Sequence, residues 1–103
     1  MNNMQQILAR AQKLQAKVSE TQKQLEKEIV TGTSGSGMVN ITMTVKGNVQ
    51  SISIDKKVIS PEEKELLEDL IIAALNDAKT QADRIYEDGM KDITGGVQIP
   101  GLF

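Results

Sequence analysis

The first part of the chain carries small and apolar side chains at alternating steps of three and four residues. These positions are Met4, Ile7, Ala11, Leu14, Val18, Thr21 and Leu25, with Leu8 beside them. This a/d heptad spacing is typical of one face of an α-helix and predicts a helical arm over residues 3–27. Because Ala11 and Thr21 bury little surface, we expect the arm to pack against a partner helix. That partner is either its copy in a second subunit or the helix that begins near Ser60.

A second pattern has a period of two, which is typical of a strand with one buried face. Apolar and polar side chains alternate over residues 39–46, and the apolar set is Val39, Ile41, Met43 and Val45. With a short strand over 28–33 and a third strand that ends at Asp55, the segment 28–55 is predicted to form a three-stranded antiparallel meander. The Gly/Ser-rich stretch 32–37 is predicted to be a hairpin loop. It lacks the Gly-Lys-Ser/Thr ending and the following helix of a phosphate-binding loop.

The turn between the second and third strands predicts a register. The Gly-Asn pair at 47–48 fits a two-residue hairpin turn. Such a turn pairs Met43 with Ile52 and Ile41 with Ile54, which places all four side chains on one apolar face. We therefore expect Ile52 and Ile54 to be buried under a helix that covers this face.

The longest helical pattern extends over residues 61–93. Its start has the signature of a capped helix, in which Ser60 is the N-cap, Pro61 takes the first position and Glu63 completes a capping box. Apolar side chains then recur at helical spacing, and residues 70–75 are apolar on every side. This stretch predicts a helix that is covered on more than one face.

The length of this second helix has a consequence for assembly. About 32 residues span roughly 48 Å, whereas a compact domain of about 100 residues has a radius of gyration near 13 Å. We therefore expect a second subunit to cover part of the helix. Two glycines, Gly89 and Gly95, are alternative stops for the helix, and residues 94–103 form a tail with enough apolar side chains to dock. The elements predict a single α+β domain over residues 1–103, with two layers in the order α-β-β-β-α.

The composition excludes several kinds of chemistry. The chain has no cysteine and no histidine, so thiol catalysis, disulfides and the usual zinc ligands are absent. We interpret acidic residues such as Asp77 and Asp83 as ordinary acids on the surface of a helix. We therefore expect that the protein is not an enzyme and has no catalytic residue, metal site, cofactor or small-molecule substrate. No apolar run approaches 18 residues, and we expect no membrane partner. With Tyr86 and Phe103 as the only aromatic residues, base stacking on single strands is disfavoured.

The charges are unevenly distributed, although the formal net charge is only −2. Residues 1–30 carry five basic and three acidic groups, whereas residues 61–103 carry four basic and ten acidic groups. Arg10, Lys13 and Lys17, which we call the basic stripe, lie at i, i+3 and i+7 and share one face of the predicted arm. The basic stripe is either a solvated helix face or a surface that contacts phosphates.

Several stretches in order along the chain resemble the YbaB/EbfC family of nucleoid-associated proteins. They are the Gln-, Met- and Lys-rich first helix, Val30-Thr31-Gly32, Gly37-Met38-Val39, Ile54-Asp55, the segment 67–78 and the tail from Gly95-Gly96 to Pro100-Gly101. The resemblance spans nearly the whole chain. It implies an α-β-β-β-α fold, a tweezer-like homodimer, binding of double-stranded DNA, and a location in the bacterial cytoplasm and nucleoid.

The resemblance also implies that DNA contacts come from the helical regions. Within these regions we expect the basic residues to make them, in the order Arg10, Lys13 and Lys17 first, then Lys23 and Lys27. On the second helix, Lys79, Arg84 and Lys91 are weaker candidates because acidic residues flank them. The alternative is a coiled-coil-like protein–protein interaction module without direct DNA binding, which the acidic second helix and the thin apolar seam favour.

Overall fold

The computed structural model describes residues 3–94. In the chain, one long helix precedes a three-stranded sheet, and two short 3₁₀ turns and a second long helix follow it. In chain order they are α1 (Asn3–Glu26), β1 (Ile29–Ser34), β2 (Val39–Thr44), β3 (Val49–Ile54), the turns Lys56–Val58 and Pro61–Glu63, and α2 (Lys64–Thr94). The predicted α+β fold, two layers in the order α-β-β-β-α, is confirmed. The predicted tail beyond Thr94 lies outside the described residues.

The sheet is an antiparallel meander in the order β1-β2-β3. The predicted register of its second hairpin is wrong by two residues, because Ile41 pairs with Ile52 and Val39 pairs with Ile54. The connection closes on Thr44, whose amide donates to the Asn48 carbonyl at 2.9 Å. A β-bulge between the pairs of Thr42 and Met43 absorbs an additional residue. Before the bulge, a shift of two residues leaves Ile52 and Ile54 on their predicted face.

Helix α2 lies directly on β1 because the contact is made by residues with almost no side chain. A β-carbon on Gly32 would overlap the Ala74 carbonyl oxygen and the Ala78 amide nitrogen. Ala74 and Ala78 are fully buried. Around them lie two apolar clusters, one formed by Val30, Met43, Ala78 and Ala82 and the other by Val39, Ile41 and Ala74. The core is thus a helix-on-strand contact that depends on glycine and alanine.

The two ends of α2 compare differently with the sequence expectations. At the start, Ser60 makes no side-chain capping bond, so the predicted capping box is wrong. The first turn is 3₁₀, and the Glu63 amide donates to the Ser60 carbonyl at 3.1 Å, which closes the turn through the backbone alone. At the other end, the helix continues through Gly89 to Thr94.

The third strand is left partly uncovered, because α2 packs chiefly against β1 and β2. Val49 is 55% exposed and Ile52 is 47% exposed, although both lie opposite buried residues of β2 and share their face. The predicted burial of Ile52 is therefore wrong within the single chain. All three strands contribute to the apolar face of the sheet, but α2 of the same chain covers chiefly β1 and β2.

Candidate nucleic-acid interface

The first two-thirds of α1 is exposed to solvent. Every residue from 3 to 17 is exposed, and Val18 is the first buried one. We call residues 3–17 the distal arm. At 1.5 Å per residue the distal arm is about 22 Å long, and the described residues extend over 73 Å along their longest axis.

The root of α1 is held against α2 by a close helix contact. A β-carbon added to Gly89 would lie only 2.5 and 2.6 Å from the two δ-carbons of Leu25. Gly89 therefore allows the two helices to approach each other and does not end α2. Within the described residues this contact holds the root of α1, where Val18 is the first buried residue.

The basic stripe lies entirely on the distal arm. At about 100° per residue, Arg10 and Lys17 differ by roughly 20° around the helix axis, and Lys13 lies about 60° from Arg10. All three side chains are exposed. The sole ion pair within residues 3–94 joins Lys79 to Asp83 at 3.2 Å, so no carboxylate neutralises the basic stripe there. The stripe has the charge and the accessibility that phosphate contacts require.

Lys23 and Lys27 do not extend the basic stripe. Lys23 lies about 120° around the helix from Lys17, on the root of α1. Lys27 follows the end of α1 in a turn, where its amide donates to the Gln24 carbonyl at 3.3 Å. The structure therefore groups three of the five predicted basic residues and places the other two elsewhere.

The basic residues of α2 stand in an acidic environment. Lys79 is already paired with Asp83, and a cleft of about 300 Å³ between the two helices and the β2–β3 turn is lined by Glu26, Asp83, Glu87, Tyr86, Lys46 and Val45. Burial and then the Glu26 carboxylate raise the pKa of the Tyr86 hydroxyl above its ordinary value. Three carboxylates in one cleft repel a phosphate backbone, so this part of the molecule is a poor surface for nucleic acid.

The acidic cleft was not predicted from the sequence. Its carboxylates come from both helices and are brought together by the Leu25–Gly89 contact. The spacing of acidic residues along the sequence therefore does not predict the cleft. Asp77, predicted to be an ordinary surface acid, instead accepts a hydrogen bond from the Thr33 amide at 2.9 Å. Within residues 3–94, no group of three or more potential ligands has a metal-binding arrangement. No helix in that range is long and apolar enough to cross a membrane.

Comparison with known proteins gives a consistent result. The family model described as the YbaB/EbfC DNA-binding family matches residues 1–97. A nucleoid-associated protein of Beijerinckia indica is 47% identical over 100 residues, which cover 97% of this chain and 99% of that protein. A nucleoid-associated protein of Rhodospirillum rubrum is 43% identical, with 97% and 94% covered.

The fold has a counterpart among solved structures. The crystal structure of an uncharacterized protein from Helicobacter pylori superposes with a TM-score of 0.76 at 21% identity, covering 92% of this chain and all of that one. This similarity supports the architecture of two helices around a meander. The match of the family model over residues 1–97 and the relatives at 47% and 43% identity lead to one conclusion: the chain belongs to the YbaB/EbfC DNA-binding family.

Proposed function

We propose that the protein binds double-stranded DNA as a homodimer and contacts the phosphate backbone with the basic stripes of two distal arms. The observation that carries this proposal is the basic stripe itself: within residues 3–94 its three cations form no ion pair, and they lie on a helical segment that is exposed along its length. Such a surface can approach a duplex without a clash with the body of the molecule. The site of action is the nucleoid in the bacterial cytoplasm, with a role in nucleoid organisation and gene expression.

The proposed homodimer is supported by the apolar surface that one chain leaves in water. On the sheet, Val49 and Ile52 are half-exposed, and on α2 Ile72 is 57% exposed and Leu75 39% exposed. Leu75 also lines a groove with Met43 and the β2–β3 turn, so the α2 and sheet surfaces adjoin. A second copy on the β3 side of the sheet removes this surface from water, which is the main favourable term in association.

Binding of this kind is expected to be independent of sequence and sensitive to salt. A dimer presents the basic stripe twice, which gives up to six phosphate contacts. Counterion release then gives a slope of log K against log salt of at most about −5, from roughly −0.9 per contact. The acidic cleft opposes binding and reduces the magnitude of this slope.

The test is fluorescence anisotropy with labelled duplexes of unrelated sequence, in about 50 mM and about 200 mM salt. We expect similar affinities for all duplexes at the lower salt and weaker binding at the higher salt. Absence of binding at both concentrations contradicts the proposal. In parallel, sedimentation equilibrium of the protein alone measures whether two copies associate at micromolar concentration.

A protein–protein interaction module is the second candidate, and one observation favours it. Beside the basic stripe, the distal arm exposes an apolar line in which Met4 is 63%, Ile7 60%, Leu8 55% and Leu14 44% exposed. An amphipathic helix of this kind can enter an apolar groove of another protein. The two candidates differ in the anisotropy experiment, because a module that recognises only protein does not bind the duplex at either salt concentration.

A further inference from the structure

The two edges of the sheet differ in what lies beside them. β1 forms one edge and β3 the other. Along β1, two side chains of α2 bind backbone groups of the strand. Asp77 Oδ2 accepts from the Thr33 amide at 2.9 Å, and Gln81 Nε2 donates to the Thr31 carbonyl at 2.9 Å. The helix thus reaches around the strand that it covers and occupies its outer edge.

The Thr33 amide and the Thr31 carbonyl are backbone groups that another strand would need for hydrogen bonds to the β1 edge. The Val45 amide donates to the Glu28 carbonyl at 2.8 Å, so the alternation of an antiparallel ladder turns the backbone groups of Thr31 and Thr33 away from β2. Another strand could pair with β1 only through this outward row. One acceptor and one donor of the row are already taken, by Gln81 and by Asp77.

The two side chains also support each other. Gln81 Nε2 lies 3.3 Å from Asp77 Oδ2 and donates to it, which is an i, i+4 contact on the helix surface. Nearby, Ser34 Oγ donates to the Leu70 carbonyl at 2.6 Å, which holds the end of β1 against the same helix. Side chains of α2 and a hydroxyl of β1 therefore fix strand and helix together at three places.

The β3 edge has no comparable cover. The Asp55 amide donates to the Met38 carbonyl at 2.8 Å, so the backbone groups of Ile52 and Ile54 point away from β2. The side-chain hydrogen bonds to the sheet within residues 3–94 fall on β1, β2 and the turns, and none of them reaches this row. Residues 49–54 contain no charged residue and no proline, which are the features that usually prevent pairing at an edge. One edge is therefore closed and the other is available to a strand.

We propose that Asp77 and Gln81 form an edge seal, which restricts strand pairing to the β3 side and stops assembly at two copies. This inference rests on the proposed homodimer. A two-fold symmetric pair that associates through β3 uses both open edges and leaves two sealed β1 edges at its ends. Without the seal, each dimer presents two strands with free backbone groups, and dimers associate end to end.

The test compares the full chain with the variant Asp77→Ala/Gln81→Ala by sedimentation velocity over a range of concentrations. We expect the wild type to keep one mass at all concentrations. The variant should reach about twice that mass or more, because the first step of its association joins two dimers. The matched control is Asp69→Ala/Asn76→Ala, which also removes one carboxylate and one amide from exposed positions of α2. The control is expected to behave as the wild type.

A third substitution tests the mechanism directly. Thr33→Pro removes the outward amide, and proline is tolerated at a sheet edge where its missing N–H faces solvent. Added to Asp77→Ala/Gln81→Ala, it is expected to restore the wild-type mass, because the β1 edge is blocked again. If the triple variant stays as large as the double variant, assembly does not proceed through β1 and the proposal is overturned.

The outcomes separate the edge seal from the homodimer. A folded Asp77→Ala/Gln81→Ala variant with the wild-type mass overturns the seal. Should that variant lose its circular-dichroism signal, Asp77→Leu/Gln81→Met replaces it. Leu and Met are good helix formers of similar length, and neither can bond to the strand. A folded Asp77→Leu/Gln81→Met with the wild-type mass then overturns the seal. A wild type that sediments as a single chain overturns the homodimer, whereas the seal is still decided by the difference between variant and wild type.

Discussion

The side chain of Leu25 occupies the space next to Gly89 that a β-carbon would fill, and this contact joins the root of α1 to α2. The γ-carbon of Leu25 lies 3.1 Å from that position and both δ-carbons lie closer. A rotation about the Cβ–Cγ bond of Leu25 alone does not clear the space, because it leaves the γ-carbon in place. The glycine is a packing requirement inside a helix that would otherwise prefer alanine.

The first prediction follows from this pair. Through helix propensity alone, Gly89→Ala should raise the free energy of unfolding by about 1 kcal/mol. The new methyl group also forces Leu25 away from α2, and this overpacking should lower the free energy of unfolding by roughly 1–3 kcal/mol. In a Leu25→Ala background the penalty disappears and the gain remains. Urea denaturation of the four proteins in the cycle should therefore give a coupling free energy of about 1 kcal/mol or more. Equal effects of Gly89→Ala in both backgrounds would show that the contact carries no energy.

The second prediction concerns the strand that lies on the helix backbone. Gly32→Ala places a methyl group against the Ala74 carbonyl and the Ala78 amide, which cannot rotate away as a side chain can. We expect a loss of more than about 4 kcal/mol, or no folded protein. Thr31→Ala is the control, since Thr31 is on the same strand and exposed, and its thermal midpoint should shift by only a few degrees, corresponding to about 0.5–1 kcal/mol.

The third prediction separates folding from association at the sheet. Ile41→Lys buries a charge at a position that is 3% exposed, and we expect the fold to be lost. Ile52→Lys lies directly opposite on β3 but is half-exposed in one chain, so the chain should fold and the dimer should dissociate. Circular dichroism reports the first effect and sedimentation equilibrium the second. Loss of secondary structure in Ile52→Lys as complete as in Ile41→Lys would contradict the distinction.

The control for the third prediction is Ser53→Lys. Opposed residues share a face, so Ser53 lies on the polar face with its partner Asn40 while Ile52 lies on the apolar one. We expect Ser53→Lys to fold and to associate as the wild type does. Dissociation of this variant would indicate that the second copy covers the polar face of the sheet.

The fourth prediction concerns the basic stripe. Arg10→Gln/Lys13→Gln/Lys17→Gln keeps helix propensity and leaves the apolar line unchanged, so folding and association should survive. We expect DNA affinity to fall equally for all duplex sequences, and the salt slope to flatten by up to about 5. Anisotropy titrations at several salt concentrations measure both quantities.

The matched control removes the same number of charges elsewhere. Lys23→Gln/Lys27→Gln/Lys46→Gln changes three exposed lysines that lie off the basic stripe. We expect a smaller loss of affinity and a slope close to that of the wild type. If both triple variants lose the same affinity, binding follows overall charge and not the arrangement on the distal arm.

Much of the fold could be predicted because its elements are set by local patterns. The spacing of apolar residues predicted helices over 3–27 and 61–93, within a few residues of the observed bounds. The apolar face of β2 followed from alternation. The hairpin register could not be predicted, because it depends on closure at Thr44 and on a bulge, which residue types at the turn do not specify.

The site was predicted only in part, for a similar reason. The i, i+3, i+7 spacing is enough to place Arg10, Lys13 and Lys17 on one face, whereas their role in DNA binding stays a prediction. Their exposure depends on how α1 packs against α2, and this is set by contacts between distant residues such as Leu25 and Gly89. The hydrogen bond from Thr33 to Asp77 spans 44 positions and has no signature in the local sequence.

The exposure of residues 3–17 has a thermodynamic consequence for recognition. A helical segment of about 15 residues is at the margin of stability in water when nothing packs on it, and α1 has no acidic residue in its first turn to stabilise that end. The free protein should therefore show a helix–coil gradient, with amide hydrogen exchange fastest near Asn3 and slowest beyond Val18. Neutralisation of the mutually repelling cations by phosphate shifts this equilibrium toward helix. Part of the intrinsic binding free energy is then used to order the chain, and the observed affinity is lower than the contacts alone would give.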